Sequence, residues 1–202
     1  MQQIIDKYPS KTTFVFDLDN TIFPSKDYDL QVYYLFGEFM EYTQPGIQEG
    51  KRILNYLAQK QGTTDRAELI DATIDHFAMD PMFKENFERL FRIARVPLKL
   101  LMYQQTLEFM QTLVADRKRL FILTAGDPEE QLNKIKQIEW NGLEKYLTVY
   151  FTEESEDKSV KTTLEKLSKE YNLTNDEMLL VGNESFKVSG IDLLLVGDLV
   201  KI

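Results

Sequence analysis

Asp17 and Asp19 stand two residues apart where the apolar run Thr12-Thr13-Phe14-Val15-Phe16 gives way to Asp17-Leu18-Asp19-Asn20, with Thr21 next. A short β-branched and aromatic run reads as a buried strand, and the polar break reads as the loop that ends it. A carboxylate held there can attack phosphorus, giving an aspartyl-phosphate that water then hydrolyses. A second carboxylate beside it can protonate the departing alcohol and later take a proton from the attacking water. That division of roles needs two environments that hold the pair in different protonation states. Two anions facing an anionic phosphate repel one another, so a cation is required, and Mg²⁺ suits a site of oxygen donors. An acidic loop that merely caps a helix would share the composition without this spacing at a strand end.

Composition removes the competing chemistries. The chain has no cysteine, so disulfides, thiolate metal sites and cysteine nucleophiles are excluded, and its one histidine, His76, cannot form a His pair or a multi-His metal site. The formal net charge of −9 disfavours nucleic acid and anionic membrane as partners, since both require a cationic face. Residues 1–11 lack the apolar stretch of a signal peptide and no apolar run approaches transmembrane length, so the expectation is a soluble cytoplasmic protein, monomeric or homodimeric.

The elements that must position the two aspartates follow from periodicity. Helical spacing recurs near 30–43, 47–61, 66–78 and 82–95, with breaks at Pro45-Gly46, Gly62-Thr63-Thr64-Asp65 and Asp80-Pro81. Thr64 or Asp65 is placed to cap the third of these helices. Beyond Pro97, helix and strand alternate. Helices are predicted over 101–115, 128–139 and 160–171, and strands over 119–124, 147–151, 178–181 and 191–196. Such alternation means right-handed βαβ units and a parallel sheet. The predicted fold is α/β, a Rossmann-like doubly wound parallel sheet with a small all-helical domain inserted after the first strand. Three strands end in small or polar residues, at Asp17/Asp19, Thr124 and Gly182/Asn183. Open parallel sheets bind ligands beyond the carboxyl ends of their strands, so these distant residues are expected at one edge.

Phe16-Asp17-Leu18-Asp19-Asn20-Thr21 resembles the first motif of the haloacid dehalogenase-like phosphohydrolases. The resemblance implies that Asp17 is the nucleophile and Asp19 the general acid/base. Phe121-Ile122-Leu123-Thr124 is similar to the second motif, whose hydroxyl binds the transferring phosphoryl group, and Ala125-Gly126-Asp127 fits the loop that follows. Lys158, rather than Lys161, stands where the third-motif lysine neutralises nucleophile and phosphate. Leu180-Val181-Gly182-Asn183 resembles the fourth motif, which completes the metal site. Thr21, Thr124, Ala125 and Lys158 are thereby implied as substrate contacts, and Asp17, Asp19 and Asn183 as Mg²⁺ ligands. The resemblance covers nearly the whole chain, with a catalytic core over 1–28 and 98–202 and a helical cap over 29–97. It implies a small phosphorylated metabolite, such as a nucleoside monophosphate or a sugar phosphate, as substrate.

The fourth motif departs from the family pattern. Many members carry an acid after the glycine and a second acid a few residues on. Here the first place is Asn183, the second falls among Lys187, Val188 and Ser189, and Glu184 and Asp192 are the nearby acids. A catalytically weak protein that binds a phosphorylated ligand is therefore the competing reading. A receiver domain phosphorylated on aspartate is disfavoured by the long helical insert, a dehalogenase by Asp19; a phosphomutase would use the same intermediate. The aromatic helix with Tyr33, Tyr34, Phe36, Phe39 and Tyr42 reads mainly as packing, and His76 as a structural residue of the insert. Phe23-Pro24 is similar to the loop of nucleotidase-like members and points to nucleoside monophosphates. The acidic run Glu153, Glu154, Glu156 and Asp157 reads as a solvated loop.

Overall fold

A computed structural model describes residues 2–43 and 49–200. Its chain divides into two compact units, one of residues 1–24, 101–131 and 138–202, the other of 25–100 and 132–137. The first unit carries five strands: β1 (Thr13–Phe16), β2 (Arg119–Thr124), β3 (Leu147–Phe151), β4 (Met178–Gly182) and β5 (Asp192–Leu195). They form one sheet in the order β3-β2-β1-β4-β5, and every pairing is parallel. From β1 the chain builds first towards β3 and then towards β5, so the order reverses beside β1. That reversal opens the crevice at the carboxyl ends of β1 and β4.

Helices are α1 (Gln2–Ile5), α2 (Ser25–Thr43), α3 (Gly50–Lys60), α4 (Arg66–His76), α5 (Phe83–Ile93), α6 (Gln104–Ala115), α7 (Pro128–Gln137), α8 (Val160–Tyr171) and α9 (Val196–Leu199). β1 is buried on both faces, as a central parallel strand must be. Phe14 and Phe16 meet Phe109 of α6 edge-on, at ring-centroid distances of 5.8 and 6.2 Å. Val15, on the opposite face, belongs to the cluster with Phe121, Leu123, Leu180 and, from α8, Leu164 and Leu167. Two-sided packing explains why the strands read as continuous apolar runs rather than as alternating ones. The predicted spans of β2, β3 and α8 match the observed ones, whereas α6 begins at Gln104 instead of 101. Tyr103 N–H is taken by the Ile22 carbonyl at 2.9 Å, outside the helical ladder.

The helical unit holds α2 to α5 around an aromatic core. Phe36 stacks on Phe87 at 3.9 Å, and Tyr33 meets Phe87 and Phe91 edge-on at 6.0 and 6.2 Å. Each fully buried phenylalanine there is worth about 2 kcal/mol of transfer free energy. Tyr34 and Tyr42 are exposed, and His76 is exposed and stacks on Tyr56. Asp65, not Thr64, caps α4, accepting a hydrogen bond from Glu68 N–H. The predicted break at Pro45-Gly46 and helix start at 47 lie outside the described residues.

The compact units part after residues 24 and 100, against predicted boundaries after 28 and 97. The carboxyl half of α7 also groups with the helices. Its Asn133 amide donates to the Tyr28 hydroxyl and the Ala94 carbonyl, and its Gln137 side-chain Oε1 accepts Val96 N–H. Periodicity along one segment carries no signal for such bonds across 39 residues or more.

Candidate active site

The site is built on the loop that leaves β1. Asp17 N–H donates to the Val181 carbonyl of β4 at 2.9 Å, which continues the strand pairing one residue further. The chain then turns back: Asn20 takes a positive φ of 58° and its N–H donates to the Phe23 carbonyl at 2.9 Å. Leu18, Ile22 and Phe23 are fully buried and anchor the loop, while Asp17 and Asp19 are half-buried and face outward between them. Asp17 Oδ1 accepts Leu18 N–H at 2.7 Å, and Asp19 Oδ2 accepts Gln131 Nε2 at 3.0 Å. Alternation of large apolar and acidic residues is thus what aims both carboxylates away from the core.

Neighbouring strands bring the other motifs to the same edge. Phe16 pairs with Ile122 of β2 and Val181 of β4, so Thr124 and Asn183 end the strands on either side of β1. Thr124 is almost wholly buried, and exposed Ala125 and Gly126 follow it. Gly126 has a φ of 101°, a conformation that favours glycine, and a Cβ there would lie 3.3 Å from Gln131 Nε2. Asn183 is half-buried and opens the short 3₁₀ turn Glu184–Phe186.

Lys158 follows β3 and precedes the Ser159 cap of α8, so it lies in a loop at the same edge, two strands from β1. Its ammonium is exposed and donates to Glu153 Oε2 at 2.7 Å, and this hydrogen bond, with the charge of Glu153, holds it above the usual lysine pKa. The acidic run is therefore more than a solvated loop. Asp157 accepts hydrogen bonds from Ser159 and Thr162, which lower its pKa, and so braces the start of α8.

Several expectations need correction. Thr21 is fully buried with its Oγ1 shielded, so it packs beneath the loop instead of presenting a hydroxyl to substrate. Phe23 is likewise fully buried, as a bridge partner of Asp19. Asp192 pairs in register with Leu179 near the start of β4, placing it at the amino-terminal edge of the sheet, opposite Asn183. Its carboxylate instead binds the Lys11 ammonium at 2.7 Å. Only Glu184, exposed and adjacent to Asn183, remains near the fourth motif as an acid. No group of three or more Asp, Glu, His or Cys that could hold a metal occurs among the described residues. Oxygens of Asp17 and Asp19 with the Asn183 amide oxygen would make an all-oxygen set that fits Mg²⁺, though with little negative charge.

A cavity of about 570 Å³ lies within the helical unit and is lined by residues such as Leu30, Tyr34, Leu54 and Leu98. Its lining holds no acidic, basic or histidine side chain, so the chemistry points instead to the strand ends. Sequence reasoning missed Gln131. It is buried on α7, where an apolar residue would be usual, and that polar residue was the available signal.

Comparison with known proteins agrees with this architecture. A candidate β-phosphoglucomutase from Thermotoga maritima superposes with a TM-score of 0.62 at 14% identity, covering 90% of this chain and 83% of its own. A hydrolase from Bacillus subtilis, solved bound to magnesium, has a TM-score of 0.59 at 14% identity, covering 91% and 85%. A haloacid dehalogenase-superfamily hydrolase from Geobacter sulfurreducens gives 0.59 at 19% identity, covering 91% and 86%. At these identities the likeness shows the fold. No curated protein matches the sequence. A sequence profile described as haloacid dehalogenase-like hydrolase matches residues 14–190, and the chain is a member of that hydrolase family.

Proposed function

We propose that this hydrolase cleaves phosphate monoesters through an aspartyl-phosphate on Asp17, with Mg²⁺ as cofactor and a small phosphorylated metabolite as substrate. The observation that carries the reading is the pair Asp17 and Asp19 on one anchored loop at the end of the central strand, flanked by Thr124 and Asn183. An Asp17 oxygen attacks phosphorus, the bond to the alcohol oxygen breaks, and Asp19 delivers the proton that the alcohol needs. Water then attacks the aspartyl-phosphate, gives its proton to Asp19, and releases phosphate with the Asp17 carboxylate restored.

Asp17, Asp19 and Asn183 would hold Mg²⁺, which when bound offsets the charge between carboxylates and phosphate. The Thr124 hydroxyl and the loop at Ala125 would receive phosphoryl oxygens. Lys158 would exchange Glu153 for the phosphate, a small cost for an exposed ion pair. The magnesium of the Bacillus protein and the mutase description of the Thermotoga protein support this reading.

The test is release of phosphate from p-nitrophenyl phosphate, then from a panel of sugar phosphates and nucleotides, with and without Mg²⁺. Hydrolysis that requires Mg²⁺ and disappears in Asp17→Asn is expected. An Asp17→Asn variant as active as the parent would sink the reading, and transfer to a sugar in place of water would identify a mutase.

A further inference from the structure

We infer that Gln131 is the positioning residue that holds Asp19 in place and ties its loop to the loop after β2. This rests on Asp19 being the general acid/base. Gln131 is 95% buried, since only 5% of it is exposed. Its Nε2 donates both of its hydrogens to acceptors, Asp19 Oδ2 at 3.0 Å and the Ala125 carbonyl at 2.7 Å. Because the Ala125 carbonyl can only accept, the amide orientation is determined: the nitrogen faces it and Asp19.

Its other atom, Oε1, is buried with no hydrogen-bond partner. A buried orphan acceptor is a cost, and such groups in folded proteins call for an explanation. A residue selected for stability alone would not leave it. The bonds that Nε2 makes explain the arrangement, for they join the loop of Asp19 to the loop that follows Thr124.

The support behind Gln131 is stiff. Asp127 Oδ1 accepts Glu129 and Glu130 N–H at 2.9 and 3.1 Å, capping α7, and the Asp127 carbonyl accepts Gln131 N–H at 3.0 Å. Gly126 lies against the amide, where a Cβ would approach Nε2 to 3.3 Å. An acid/base works only within hydrogen-bond reach of the oxygen it serves, and small displacements are expensive in rate. The amide supplies that constraint without adding a charge beside Asp19.

Gln131→Met keeps the side-chain length while removing both donors and the orphan acceptor. Its kcat/KM, which reports only the steps up to formation of the aspartyl-phosphate, is compared on two substrates. A primary-alkyl phosphate has a leaving group that needs a proton, whereas 2,4-dinitrophenyl phosphate has one that does not. We expect a loss of about 10- to 100-fold on the alkyl ester, under about threefold on the dinitrophenyl ester, and an unchanged or higher melting temperature. An equal loss on both esters, or none on either, overturns the proposal.

A crystal structure of Gln131→Met gives an answer that does not depend on activity. The Asp19 carboxylate should be displaced, and an Asp19 that keeps its place and rotamer overturns the proposal. If the parent hydrolyses neither ester, the phosphohydrolase reading has failed, and the position of Asp19 still decides what Gln131 does.

Discussion

The carboxyl ends of β1 and β4 are neighbours in the sheet, joined by the bond from Asp17 N–H to the Val181 carbonyl, yet they are built differently. The β1 end carries two carboxylates on a loop pinned by buried Leu18, Ile22 and Phe23. The β4 end carries an amide, Asn183, and a turn whose acid, Glu184, and base, Lys187, are both exposed. Nearly all of the chemical capacity of the edge therefore sits on the first loop. The difference suggests that covalent and proton-transfer chemistry are demanding in residue type, whereas a cation accepts a neutral oxygen in place of a carboxylate and binds less tightly.

The comparison can be broken most directly from the β1 side. Asp17→Asn should lower phosphate release by at least about 10³-fold, measured as kcat on p-nitrophenyl phosphate, if the covalent intermediate forms on its carboxylate as proposed. Asp19→Asn should cost about 10²-fold or more in kcat/KM on alkyl phosphates, with a smaller loss on dinitrophenyl phosphate. Retention of parent rates by Asp19→Asn on both esters would remove the acid/base role.

Changes on the β4 side sharpen the comparison and should be smaller. Asn183→Asp adds the charge that the site lacks, and the Mg²⁺ concentration for half-maximal activity should fall about tenfold. A titration with no change would mean that Asn183 does not ligate the metal. Asp192→Asn should leave that titration where it was, since Asp192 lies at the opposite edge and binds Lys11. Its expected effect is a loss of about 1–3 kcal/mol in urea unfolding, because the Lys11 ammonium that it pairs is buried.

The parallel strands and α8 were readable because both have sharp local markers. Buried strands are unbroken β-branched and aliphatic runs, and α8 shows helical spacing over 160–171. Boundaries that rest on distant partners were not readable. The fate of α7 is the clearest case, because Asn133 and Gln137 look like ordinary surface amides until Tyr28, Ala94 and Val96 are placed beside them.

The aspartate pair shows where the division falls. Residue order alone determined the type and spacing of Asp17 and Asp19, the strand that precedes them and the alternation that makes a parallel sheet, because these are local properties of the chain. Only the tertiary structure decided that Asp192 stands at the wrong edge, that the Thr21 hydroxyl is buried, that Lys158 is engaged by Glu153 and that Gln131 reaches Asp19. Strand register sets the edge on which Asp192 stands, and the bond from Gln131 to Asp19 spans 112 residues, which no pattern along a single segment encodes.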